Sequence, residues 1–245
     1  MIADILTIIW KEWREFRDQL FKLKRGGLSA LIVVLMLGIV TPLQMGPEWI
    51  SSPLMLAYWP LLAGSMVTTL IADAIAGERE RHTLETLLAT RLPDSAILLG
   101  KVAASVAYGY VFALMNIVVG WIVLNIRHHE NGIIWFPLSH LGALIALIGL
   151  NCLFLSGIGV FVSLRATSVR QAQQALGIIM LIMFMAPALG IQALSPDSRA
   201  LLLAQFTQVD VANALKWAIG GLAVAAVSVN VAALLRFKRG RLVLD

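Results

Sequence analysis

His128, His129 and Glu130 stand side by side, three side chains of types that ligate metals. A zinc-type centre needs three or four such ligands converging from different elements. No convincing further ligand accompanies these three, so they read as the polarity of an exposed loop. Glu78 and His82 are four residues apart, a spacing that puts both on one helix face. No H-E-x-x-H motif occurs, however, and the constellation an intramembrane metalloprotease requires is missing. Met180, Met183 and Met185 offer thioethers, but on a long apolar helix such a group is flexible packing. Cys152 is the single cysteine, so neither a disulfide framework nor a cysteine ligand pair exists. Without a G-x-x-x-x-G-K-[ST] loop the chain has no cradle for nucleotide phosphates, and Leu155-Ser156-Gly157 inside an apolar run carries no weight. The expectation is a chain with no catalytic residue, metal or cofactor of its own.

A stronger pattern runs from Gly77 to Lys101, GERERHTLETLLATRLPDSAILLGK. Glu78, Arg79, Glu80 and Arg81 alternate in sign, and Thr83 is a residue type that caps helix N-termini. Leu84, Leu87 and Leu88 follow at i, i+3, i+4 and predict one apolar stripe about two turns long, with Glu85 beside it. Arg91 and Leu92 lead to Pro93, which stops that helix, and Asp94 is placed to cap the next from Ser95. Two readings stay open. The stripe docks into a groove of another protein, or the helix packs on its own chain.

The elements that position this island are long apolar runs. With 59% apolar residues, 13% charged and a mean hydropathy of +0.85, the composition is that of a polytopic membrane protein. Six spanning helices are expected at roughly 28–46, 53–76, 100–126, 138–164, 172–194 and 213–235, with Pro60 and Pro187 as kink sites. Before them, residues 1–25 place Ile2, Leu6, Ile9, Trp13, Phe16, Leu20 and Leu23 at alternating steps of four and three, with many charges between. This predicts an N-terminal amphipathic helix lying in the membrane interface, joined to a membrane domain of residues 26–245 by Gly26 and Gly27. Between the last two spans, Leu201 to Phe206 is apolar but too short to cross, and predicts a re-entrant or interfacial segment. No cleavable signal peptide is expected, because the first apolar run begins near Leu28 and is too long for one.

Of nineteen Lys and Arg, all but Arg127, Arg199 and Lys216 fall on the side of the island and the two termini. By the positive-inside rule those parts are cytoplasmic. The same distribution turns a net charge of +5 into a topology signal and argues against nucleic-acid binding. Asp73 lies near the end of a span, within reach of the basic island, and Lys216 can snorkel outward. With no ionisable residue at mid-membrane, an ion relay is unsupported. Asn116, Asn151 and Asn230 are expected to bond neighbouring helices, and Ser105 with Gly109 to favour close helix approach. Trp135 and Phe136 are expected to anchor the outer interface.

The run from Asp73 to Thr90 (DAIAGERERHTLETLLAT), Asp94 to Lys101, and Ser163 to Gln174 (SLRATSVRQAQQ) resembles the permease subunits of type 2 ABC exporters. The resemblance implies an all-α integral membrane fold of six spans, with the island as a cytoplasmic coupling helix between spans two and three. Glu78, Arg79, Glu80, Arg81, Thr83, Leu84, Glu85, Leu87, Leu88 and Arg91 would contact an ABC ATP-binding subunit, which would carry the ATP and Mg. A second permease subunit, the same or different, would complete the unit, and residues near 199–209 would form an outer gate. A multi-pass cell membrane protein of a bacterium or archaeon is expected. The sparse polar residues in the spans and the small outer loops favour a small amphipathic or apolar cargo. The alternative is a non-transporting scaffold or sensor coupled to an ATPase.

Overall fold

A chain this apolar has no water inside the bilayer for its backbone amides, so they must bond within their own segment. The computed structural model describes residues 1–21, 32–83, 86–87, 89–129, 132–198 and 211–237, and among them every regular element is helical. Helix α1 (Ile2–Phe21) is followed by α2 (Val34–Met45), π-helical over Val34–Val40. Helix α3 (Pro53–Ala72) passes through a π-helical segment, Asp73–Gly77, into a last turn, Glu78–Glu80. Then come α4 (Asp94–Arg127), α5 (Leu138–Ser163), α6 (Val169–Ala193) and α7 (Val211–Arg236). The expected junction at Gly26–Gly27, the beginning of the first span, the segment 201–206 and Leu84, Glu85, Leu88 and Glu130 lie outside the described residues.

Four described helices are long and apolar enough to cross a membrane: Met55–Glu80, Asp94–Arg127, Leu138–Ser163 and Asn213–Arg236. These match four of the expected spans to within a few residues, except that α4 starts earlier. At the two remaining positions stand the short apolar α2 and the continuous α6. Helices α3, α4 and α5 form the centre; α7 lies on α5, α6 on α3 and α5, and both α1 and α2 on α4.

Lipid-exposed helices gain little from hydrophobic transfer into one another, so close backbone approach and satisfied polar groups hold them together. Gly109 on α4 is one such approach. A Cβ there would fall 2.8 Å from the Ala63 carbonyl oxygen and 2.5 Å from Val67 Cγ2 on α3, in line with the expected small-residue contact. Asn151 donates to the Pro60 carbonyl at 2.6 Å, and Asn230 donates from α7 to the Leu153 carbonyl of α5 at 2.7 Å. Asn116 departs from expectation: its amide bonds the Phe112 carbonyl of its own helix at 2.8 Å. An i−4 carbonyl is always within reach of a short amide on a helix, so local bonding wins when the neighbour offers no acceptor.

The apolar core has two ends. At one end Trp49, Trp59, Ile117, Leu124 and Leu144 pack together with Phe136 against them. At the other, Ile71, Ile75, Ile97, Leu98, Val160 and Phe237 form a second cluster, next to which the charged island folds.

Candidate functional site

Helix α1 does not pack with its whole apolar stripe. Ile8, Glu12 and Phe16, spaced by four, are its buried face, whereas Ile2, Leu6 and Trp13 of the predicted stripe are exposed, as is Trp10. The reason is α4, which offers this face a gap and a charge. At Gly100 a Cβ would lie 2.6 Å from Ile8 Cβ, so only glycine lets the two helices come this close. One residue on, the Lys101 side chain is 1% exposed and must find partners or lose several kcal/mol.

It finds three. Lys101 Nζ donates to Glu12 Oε1 of α1 at 2.8 Å and to the Ala74 carbonyl in the π-helical segment at 2.7 Å, and pairs with Glu78 Oε1 at 2.9 Å. Lys11 closes the set from the rim, 2.7 Å from Glu78 Oε1, with Glu12 and Glu15 at 3.6 and 3.4 Å. Buried Glu12, Glu78 and Lys101, with Lys11 at the rim, thus form a clasp of two negative and two positive charges that joins α1, α3 and α4, and Glu15 adds a carboxylate on the exposed side of Lys11. Burial pulls the Lys11 proton affinity down. The hydrogen bond to Glu78 and the negative charges of Glu78, Glu12 and Glu15 outweigh that and hold its ammonium above the ordinary lysine range.

Each charge of the Glu-Arg-Glu-Arg run goes to a different element. Glu78 turns inward to the clasp. Arg79 donates to the Leu164 and Ala166 carbonyls at 3.0 and 3.1 Å, beyond the end of α5. Glu80 accepts from the Val169 amide at 2.9 Å at the start of α6. A cation at a helix C-terminus and an anion at an N-terminus both complement the helix dipole. Arg81 reaches back 2.5 Å to Asp73 across the π-helical segment, the contact expected of Asp73.

The helix then ends in a Schellman arrangement. The His82 amide donates to the Arg79 carbonyl at 3.0 Å and the Thr83 amide to the Glu78 carbonyl at 2.9 Å. His82 takes the left-handed φ of 56° that such an ending needs. The Thr83 hydroxyl donates back to the Glu78 carbonyl at 3.2 Å and so closes the preceding helix, and its carbonyl accepts from the Leu87 amide at 3.0 Å. The first residues of the helix it was expected to cap, Leu84 and Glu85, lie outside the described residues. Asp94 is not the cap expected: Pro93 is the N-cap residue of α4 and Asp94 sits in its first turn.

The seven described residues of the ten expected at the site therefore divide. Glu78 is buried, Arg79 is half-buried, and Leu87 packs on the apolar cluster of its own bundle together with Leu92. Glu80, Arg81, Thr83 and Arg91 are exposed, with His82, Thr86, Ala89 and Thr90 between them. Glu78 and His82 do not share a face as a metal pair would, since one is buried and the other exposed. His128 bonds the Leu124 carbonyl and His129 the Ile126 carbonyl. Met180 receives a hydrogen bond from Thr68 at 3.6 Å.

Lys11, Glu12 and Lys101 were not expected at the site. The signal for Lys101 was present: Ile97, Leu98, Ala104 and Ser105, its neighbours three and four positions away, offer it no water-facing side. For Glu12 there was none, because a helix with charges on several sides does not show which one faces inward.

Residues 49–208, which contain the island and Lys101, match the family model of ABC-2 family transporter proteins. Over 133 residues the chain is 30% identical to the ABC transporter permease protein NatB of Bacillus subtilis (strain 168), covering 51% of this chain and 33% of that protein. The chain thus spans about a third of the length of that relative. Helix α1, which supplies half of the clasp, lies outside the residues that the family model matches.

Proposed function

This chain belongs to the ABC-2 transporter family as a type 2 ABC permease, and on that premise we propose that it moves a small amphipathic or apolar substrate out of the cytoplasm. A separate ABC ATP-binding subunit hydrolyses ATP with Mg, and a second permease subunit completes the pore. The chain crosses the membrane six times, with α2 ending the first span and α6 forming the fifth, and both termini are cytoplasmic. Residues 1–25 form an interface helix and 26–245 the membrane domain. The outer segment near 199–209 acts as a gate.

One observation carries this reading: the island has an exposed side and a side bonded into the bundle. Glu80, Arg81, Thr83, Thr86 and Arg91 form the exposed side that meets the ATP-binding subunit, Leu84, Glu85 and Leu88 belonging to the same coupling helix. Glu78 and Arg79 face inward and Leu87 packs against the bundle, so these three pass its movement on together with Glu80, which is exposed but bonds the Val169 amide. A push on the coupling helix reaches α1 and α4 through Glu78, the end of α5 through Arg79, and α6 through Glu80. A rigid connection of this kind lets one subunit bias a two-state arrangement of helices in another.

The test is co-purification in mild detergent, followed by ATPase assays on the complex. An ATP-binding cassette protein should accompany the wild-type chain at about one to one, as a stoichiometric subunit contact requires. Thr86→Glu combined with Arg91→Glu should remove it while membrane insertion is unchanged. Undiminished co-purification of that variant would overturn the coupling assignment. Partner binding with no cargo able to change ATP turnover would favour a scaffold over a transporter.

A further inference from the structure

The face of α1 that points away from the clasp carries Trp10, Trp13, Arg14 and Arg17. With Tyr108 of α4 these residues line a cleft of about 420 Å³. Its position relative to the bilayer follows from helix length. Helix α4 has 34 residues, so it is about 51 Å long at 1.5 Å per residue and exceeds the roughly 30 Å of hydrocarbon by some 20 Å. Measured back from Arg127, where the polar residues begin, the hydrocarbon ends close to Tyr108. The stretch from Asp94 to about Ala107, against which α1 packs, runs out through the headgroups and beyond them, and the end of the cleft at Tyr108 stands at their inner edge.

The lining has two kinds of chemistry. The guanidinium of Arg14 lies over the Trp10 ring, 5.5 Å from its centroid, which holds that cation in place on an exposed helix. Arg17 is the next cation, one turn on. Phe16, buried beneath, holds Tyr108 edge-on at 5.7 Å between centroids. Trp10 and Trp13 remain 65% and 41% exposed, at the depth where indoles and phenols settle in membranes. Guanidinium forks recognise phosphate oxygens, and aromatic rings at this depth lie against the glycerol and upper acyl chain. Among the described residues no acidic side chain lines the cleft.

We propose that this cleft is a binding site for the headgroup of an anionic phospholipid, with Arg14, held by Trp10, and Arg17 on the phosphate and the rings of Trp13 and Tyr108 against the glycerol end. The occupant is a lipid and not a free anion, because an inorganic ion would leave the apolar faces of the aromatic rings uncovered, whereas a glycerol and upper acyl chain would lie against them. Only the choice of leaflet rests on the orientation given above; binding itself does not. Since Glu12 of the same helix holds Lys101, occupancy of the cleft would steady α1 against the clasp.

The experiment uses the full chain in nanodiscs holding equal amounts of phosphatidylglycerol and phosphatidylcholine, with retained lipid read by native mass spectrometry. Wild type should retain phosphatidylglycerol in preference. Arg14→Gln with Arg17→Gln should cut that preference about tenfold or more, the loss of two cations beside an anionic surface. Arg14→Lys with Arg17→Lys should keep most of it, which separates lost charge from a damaged helix. Arg127→Gln with Lys216→Gln removes the same charge at the opposite end and should leave it unchanged. Equal retention of both lipids by wild type, or an undiminished preference in the glutamine variant, would overturn the site. So would displacement of the lipid by excess inorganic phosphate, which would mark a free-anion site. None of these readouts involves an ATPase, so they stand or fall independently of the transporter reading.

Discussion

Lys101 is held where solvent cannot reach it, and its value to the fold lies in the balance of the whole clasp. Removing one charge leaves an opposite one buried and unpaired, which costs more than removing both. Lys101→Met should therefore lower stability by about 3–5 kcal/mol, measured by thermal or denaturant unfolding in detergent. Adding Glu12→Leu should recover a large part of that loss, because Glu78 then keeps Lys11 as its counter-ion. An equal or greater loss in the double variant would show that the two side chains do not act as a unit. The pH behaviour follows from the sign of the Lys11 shift. A lysine whose proton is held more tightly in the folded state contributes fully below its ordinary value near 10.5 and loses that contribution only as pH rises above it. The Lys11 part of the clasp is thus insensitive to pH over the physiological range.

Among the elements, α1 depends on one missing side chain. It lies on α4 where Gly100 leaves room for Ile8 and the Ile5 carbonyl, and this contact brings Glu12 to Lys101. Gly100→Val should push α1 outward, break the Glu12–Lys101 pair and raise tryptic cleavage after Lys11, Arg14 or Arg17 several-fold, roughly the effect of losing a clasp contact of a few kcal/mol. Unchanged cleavage would mean that α1 is held by other contacts. The heptad-like spacing of residues 1–25 made the helix itself legible. It did not show the docked face, because Ile8, Glu12 and Phe16 share their row with a charge and do not form an apolar stripe. The π-helical segment Asp73–Gly77 was also not legible, since its sequence DAIAG has no residue that forbids an ordinary α-helix.

For the whole molecule, His82 and Ile133 stand at opposite ends of α4. On a Cys152→Ala background, His82→Cys and Ile133→Cys should react differently with a membrane-impermeant maleimide on intact cells, position 133 labelling and position 82 not until the membrane is opened. Labelling in the reverse pattern would invert the orientation, and equal labelling would remove α4 as a span.

Four spans, the helical class and the polar island were legible in the sequence because each depends on local properties: an apolar run too long for a soluble core, and charges that cannot stay in hydrocarbon. The family resemblance was likewise carried by short continuous motifs. The tertiary structure alone decided what the island does with its charges. Whether Glu78 faces a partner or its own α4 depends on the depth at which α1, α3 and α4 meet, and so on Gly100, on the π-helical carbonyl of Ala74 and on a carboxylate 66 residues upstream at Glu12. Contacts between residues so far apart in the chain have no period to detect, and they exist only once the helices are packed.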